Sequence, residues 1–317
     1  MLTAALTLLL WGAAPNPASV KWTTPSAALV REAELAGKGW QATTLVLDGG
    51  SIELLLGSTK KSVLSTEEVL AWVRMCAGSV SGYFGRFPVS RLLLRVGRQS
   101  GNGVHHGVTY RGRTIHLDVG ESTTVQELAD DWVLTHELFH LAFPEVPEPY
   151  LFLQEGFSTY LEPIARTRAG VLPAEETWRS FVEGFPNGLP RAGDRGLAQT
   201  ATWGNTYWGG ARFWLLAALE IRRRTKNAKS LDDALKAVLA AGGDGSVEWE
   251  PMRIFQLGNG ATGTTVLTEL HAQMGKKPMR SDLDALWKQL GVRGGGPEKI
   301  TFDDDAPEAS LRKAIAH

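Results

Sequence analysis

Cysteine is almost missing from this chain: Cys76 stands alone among 317 residues. A single thiol cannot close a disulfide within the chain, and it excludes every zinc site built on several cysteines. Its setting, Ala71-Trp-Val-Arg-Met-Cys76, reads as helix, where a lone cysteine serves as a small core residue. An excess of charge of either sign is missing as well. Lys and Arg number 33 against 34 for Asp and Glu, which gives no reason to expect nucleic acid or a charged membrane surface as a partner. No apolar run reaches the roughly eighteen residues of a stable membrane span, and there is no repeat or low-complexity tract. What remains, with 43% hydrophobic residues, is long enough to bury a large core as one unit of two lobes.

The longest uncharged apolar stretch, Leu2 to Ala14, is too short to cross a bilayer and runs into small residues and prolines around Ala13 to Ser19. Residues 1–19 therefore read as a signal peptide, although no Lys or Arg precedes Lys21. On that reading residues 20–317 work outside the cytoplasm, periplasmic or secreted; if the segment is not a signal, the protein is cytoplasmic. No cysteine stands at its end to carry a lipid anchor.

The remaining pattern is α+β. Apolar runs at Thr43 to Asp48, Ile52 to Leu56 and Arg91 to Val96, with a hairpin over Val108 to Val119, predict a small sheet interrupted by a helix from about Thr66 to Tyr83. This sheet lobe spans about 40–122. From about 123 to 317 the pattern turns wholly helical, with helices at Glu175–Glu183, Ala211–Thr225, Leu231–Ala240, Thr264–Met274, Leu283–Leu290 and Ala309–Ile315. The Gly- and Pro-rich stretch from Gly184 to Gly204 is the longest irregular segment, placed at a cleft.

Chemistry enters with His136-Glu137-Leu-Phe-His140 and, fifteen positions later, Glu155. Two imidazoles at i and i+4 of a helix share one face and can reach one metal ion. A capping box of Thr124 and Glu127 opens this helix and Pro144 closes it, so it should run from about Val125 to Ala142. Its apolar stripe, Val125, Leu128, Ala129, Trp132 and Val133, continues into His136, Phe139 and His140, so both histidines point with the buried face. Three prolines between Phe143 and Tyr150 force a turn, after which a second helix, Tyr150 to Leu161, can bring Glu155 back as a third ligand. Glu162, seven residues on, shares its face and reads either as a carboxylate orienting a ligand histidine or as a solvated helix residue. His105 and His106 read either as substrate contacts or as polar residues of a Gly-rich hairpin. His116 sits on a half-exposed strand, and His271 on the polar face of a late helix. Tyr207 lies among Trp203, Trp208, Phe213 and Trp214, an aromatic cluster that could itself wall a pocket.

These residues resemble the gluzincin zinc metallopeptidases. His136-Glu137-x-x-His140 followed by Glu155-Gly-Phe-Ser-x-Tyr160-x-Glu162 is similar to the branch of glycyl aminopeptidase-like and aminopeptidase N-like enzymes. Tyr207-Trp-Gly-Gly-Ala-Arg-Phe213, leading to Ile221–Thr225 and Ser230–Leu235, resembles their tyrosine-bearing helix and the helix after it. The resemblance covers about residues 80 to 245. It implies a thermolysin-like α+β catalytic domain with one Zn(2+) ion between a sheet lobe and a helical lobe, held by His136, His140 and Glu155. It further implies Glu137 as general base and Tyr207 as the donor to the oxyanion. Where the family's aminopeptidases carry an acidic residue gripping a free amine, Gly101 to Tyr110 offers His105 and His106 and no carboxylate, so exopeptidase specificity is not implied. The expected activity is hydrolysis of a peptide or protein substrate. Two alternatives share the ligands: a catalytically inactive binding protein with structural zinc, and a zinc hydrolase of a non-peptide substrate.

Overall fold

The computed structural model describes residues 20–59 and 61–317, so the segment read as a signal peptide lies outside the described residues. The described chain forms two compact units. One runs through Ala142 and includes Arg168–Val171 and Asp244–Ser246; the other comprises Phe143–Thr167, Leu172–Gly243 and Val247–His317. No helix among the described residues is long and apolar enough to cross a membrane.

The first unit is built on a six-stranded sheet in the order β1-β2-β3-β4-β6-β5. Its strands are β1 (Lys21–Thr23), β2 (Trp40–Leu47), β3 (Gly50–Gly57), β4 (Arg91–Gln99), β5 (Val104–Tyr110) and β6 (Thr114–Gly120). The pairs β1–β2, β2–β3 and β5–β6 are antiparallel, whereas β3–β4 and β4–β6 are parallel. The Leu/Ile/Val runs of β3 and β4 supply Ile52, Leu54, Leu92, Leu94 and Val96 to the core with essentially no exposure. The expected sheet is present, with β1 and helix α1 (Ala27–Ala36) added ahead of it.

Helix α2 (Thr66–Phe84) is opened by a capping box between Ser65 and Glu68 and buries Val69, Trp72, Val73, Cys76 and Val80. Those positions recur at helical spacing, which is why the pattern was legible. The single helix expected over Val125 to Ala142 is instead two: α3 (Val125–Asp130) and α4 (Val133–His140). Asp131 takes an extended conformation, and its Oδ2 accepts the Leu134 N–H at 3.3 Å. Aspartate thus does at the junction what it does at helix starts, satisfying a backbone donor of the new first turn. The break turns Trp132 out of the expected apolar stripe; it is 52% exposed.

The second unit contains α5 (Leu151–Arg168), α6 (Ala174–Gly184), α7 (Gly210–Arg224), α8 (Leu231–Ala240), α9 (Pro251–Thr262), α10 (Val266–Leu270), α11 (Leu283–Leu290) and α12 (Ala309–Ala316). It is not wholly helical. β7 (Val292–Gly295) and β8 (Glu298–Phe302) form a hairpin in which Gly294 and Gly295 at the end of β7 and Gly296 in the turn all take positive φ. Helix α5 runs past Leu161, where the sequence placed its end, and through Pro163 to Arg168. Burial of Ile164 and Ala165 beyond the proline, at 1% exposure each, outweighs the single backbone hydrogen bond that proline removes. Phe143, Phe157 and Trp214 meet at ring separations of 4.6–6.3 Å, and the Trp214 indole donates to Leu153 O at 2.9 Å.

Candidate metal centre

On α4, His136 and His140 follow one another by one turn, with ring centroids 5.1 Å apart. Both are buried, at 3% and 7% exposure. Helix α5, opening after a short turn at Glu148–Tyr150, carries Glu155 in its second turn. One ligand atom from each of His136, His140 and Glu155 lies within 4.8 Å of the other two. Two imidazoles and a carboxylate are donors that zinc prefers, and three protein ligands leave a tetrahedral ion one open position. The donor set and its closeness fit one divalent ion, so this cluster could bind a metal.

Glu137 stands beside that cluster, 8% exposed. The Thr109 hydroxyl donates to its Oε2 at 2.7 Å and lies 3.0 Å from its backbone carbonyl. Thr109 sits on β5, the outermost strand, where residues two apart share a face. Gly107 is therefore on the same side, and a Cβ there would lie 2.5 Å from Val133 Cγ1 and 3.0 Å from Glu137 Cγ. Glycine lets the strand come close enough for threonine to grip the carboxylate. Neither residue stood out in the sequence. The signal available was Gly-Val-Thr at alternating positions of an edge strand, which gains meaning only once its helical neighbour is known.

A second close approach was also missed. A Cβ on Gly156 would meet Gly210 C at 2.2 Å, and one on Gly210 would meet Phe152 O at 2.0 Å. Helices α5 and α7 therefore cross backbone to backbone beside Glu155. Three residues before Gly210 is Tyr207, half-buried on a π-helical turn, Asn205–Gly209. The wider turn re-aims side chains relative to an α-helix and recurs at functional sites. Trp203 lies 6.2 Å from the Tyr207 ring but is 63% exposed, so the expected aromatic cluster is open at that end.

The remaining candidates fall elsewhere. Glu162 is 7% exposed, and its Oε1 accepts from Arg166 Nη1 at 2.8 Å; the solvated alternative is wrong because α5 continues and buries it. His105 Nε2 lies 2.6 Å from Asn102 O, and His106 is exposed at φ 53° next to a break in the β5–β6 register. His271 is a correction. It is 6% exposed on a second π-helical turn, with its ring 5.8 Å from Tyr150 and 5.1 Å from Phe255. Burial foremost, and the charge of Lys276, hold its imidazole below the usual histidine range.

Fold and site thus define an α+β chain with a His-His-Glu cluster that could hold a metal ion. Among solved structures, an aminopeptidase N family protein from Idiomarina loihiensis shares the fold, with a TM-score of 0.62 at 16% identity over 81% of this chain and 50% of that one. An M1 zinc metallopeptidase from Deinococcus radiodurans aligns with a TM-score of 0.44 at 14% identity over 73% and 51% of the two chains. The chain spans about half the length of these solved structures. No family model and no curated protein matches the sequence.

Proposed function

We propose that this protein is a zinc-dependent metallopeptidase that hydrolyses peptide bonds with Glu137 as general base. The observation carrying the reading is the convergence of His136, His140 and Glu155 within 4.8 Å, with an unligated glutamate one residue from the first histidine. A zinc ion held by these three residues would supply an electrophile for a peptide carbonyl and make water easier to deprotonate.

The chain's own residues do the rest. Thr109 engages Oε2 of Glu137, which leaves Oε1 to take the water proton and pass it to the departing amine. The α5–α7 crossing keeps the Tyr207 turn close to Glu155, where the phenol donates a hydrogen bond to the carbonyl oxygen as charge builds on it. A neutral donor already in place costs no reorganisation when the charge develops. The substrate is a peptide or protein.

Metal analysis of the purified protein, followed by digestion of a peptide library with and without chelator and readout by mass spectrometry, tests this. The expected result is one zinc per chain and cleavage abolished by the chelator and restored by zinc. Protein that binds no metal, or cleavage indifferent to the chelator, refutes it.

A further inference from the structure

The segment leading into the Tyr207 turn encloses a cavity of about 280 Å³ lined by Asn187, Arg191, Asp194, Thr202, Trp203 and Asn205. Its walls are fixed. A Cβ on Gly204 would lie 2.1 Å from Asn187 O, and one on Gly188 would lie 2.2 Å from Gly209 N. Asn205, 5% exposed, donates its amide to Thr200 O at 3.0 Å, and its backbone N–H donates to Thr202 Oγ1 at 3.2 Å. Such a wall does not need an indole on its rim for packing, yet Trp203 stays 63% exposed beside Tyr207.

The charges are unevenly committed. Asp194 Oδ2 accepts the Arg191 backbone N–H at 2.9 Å and the Asn205 amide at 3.4 Å, so that oxygen is occupied in shaping the loop. Arg191 contributes that backbone N–H, and its guanidinium makes no hydrogen bond or ion pair among the described residues. A planar cation with free donors beside an open aromatic face suits a carboxylate whose methylenes lie on the indole. An apolar side chain there would cover the guanidinium without pairing it, and an ammonium would repel it.

Resting on the peptidase reading above, we propose that this cavity is a subsite for an acidic side chain of the substrate, held by Arg191 against Trp203. The Trp203 ring lies 6.2 Å from that of Tyr207, within reach of a residue next to a carbonyl that Tyr207 would engage. The subsite thus gives the enzyme a preference for glutamate or aspartate close to the cleaved bond.

Binding rather than turnover decides the matter. Fluorescein-labelled hexapeptides that differ only in Glu, Gln or Lys at one position at a time are titrated by anisotropy against zinc-supplied Glu137→Gln protein. At one position the Glu peptide should bind about fivefold more tightly than the Lys peptide, the scale of an exposed ion pair. Adding Arg191→Gln should bring that ratio within twofold without shifting the melting temperature, since the guanidinium has no structural partner. Equal affinities at every position, no binding of any peptide, or a preference that survives Arg191→Gln overturns the proposal. Should the preference appear while protein bearing Glu137 cleaves nothing, the subsite stands and the peptidase reading falls.

Discussion

Replacing Gly156 by alanine puts a methyl group where the backbone of Gly210 already lies, 2.2 Å from the new Cβ. Ordinary carbon contacts begin near 3.4 Å, so the α5–α7 crossing must open by about 1 Å. No flexible side chain can absorb this, because the obstacle is main chain. Overpacking of this kind costs about 1–3 kcal/mol. The shift falls on the helix that carries Glu155 and on the turn that carries Tyr207, and a misplacement of about 1 Å can lower turnover by around a hundredfold. The variant should melt a few degrees lower, bind zinc at least about tenfold more weakly in competition with a chelating dye, and lose most activity. Gly260→Ala is the matched control. It lies within α9 with nothing within 4 Å of a new Cβ and should be neutral or stabilise by up to about 1 kcal/mol. A Gly156→Ala protein with wild-type melting and zinc affinity would show that the crossing does not set the position of Glu155.

Glu137→Gln should retain zinc by metal analysis while kcat falls by about two to four orders of magnitude; full activity would remove Glu137 from the role of base. Thr109→Val should cut kcat/KM about tenfold or more with melting and zinc content unchanged, on the scale of one hydrogen bond to a charged group, and Thr109→Ser should restore it. A loss that serine does not rescue would assign Thr109 to packing. For His271 the folded imidazole is held low, so as pH drops below about 6.5 the unfolded chain takes up a proton that the folded one resists. Stability therefore falls with acidification through that region. His271→Phe should flatten the decline in melting temperature between about pH 6.5 and 5; identical slopes would show that another group carries it.

What the sequence made legible was what short-range periodicity encodes. Helix α2, the β2–β3 and β4 runs, the capping box at Thr124 and the i, i+4 histidines all express one element's own repeat. The misreadings arise where a distant contact overrides that repeat. Asp131 breaks a run that looks continuous because its carboxylate prefers to cap Leu134. Pro163 fails to stop α5 because Ile164 and Ala165 find a core to enter. His271 looks solvent-facing by position, but its neighbours are Tyr150 and Phe255, far away along the chain. The hairpin of β7 and β8 hides in glycines that carry no apolar alternation. At the site, ligands are visible as residue types, whereas Gly107, Gly156 and Gly210 matter through atoms they lack, and that shows only once their neighbours are placed.

Sheet topology also bears on the order in which the first unit can assemble. β2–β3 and β5–β6 are joined by short turns and can zip as soon as both arms exist. β4 can join β3 only after α2 has been threaded across, and β6 can join β4 only after the whole of β5 has been made. Parallel registers of this kind demand loop closure before any ladder forms, which slows them. The parallel ladders β3–β4 and β4–β6 would therefore lock after the two hairpins, and the grip of Thr109 on Glu137 waits further for α4, which follows β6 in the chain.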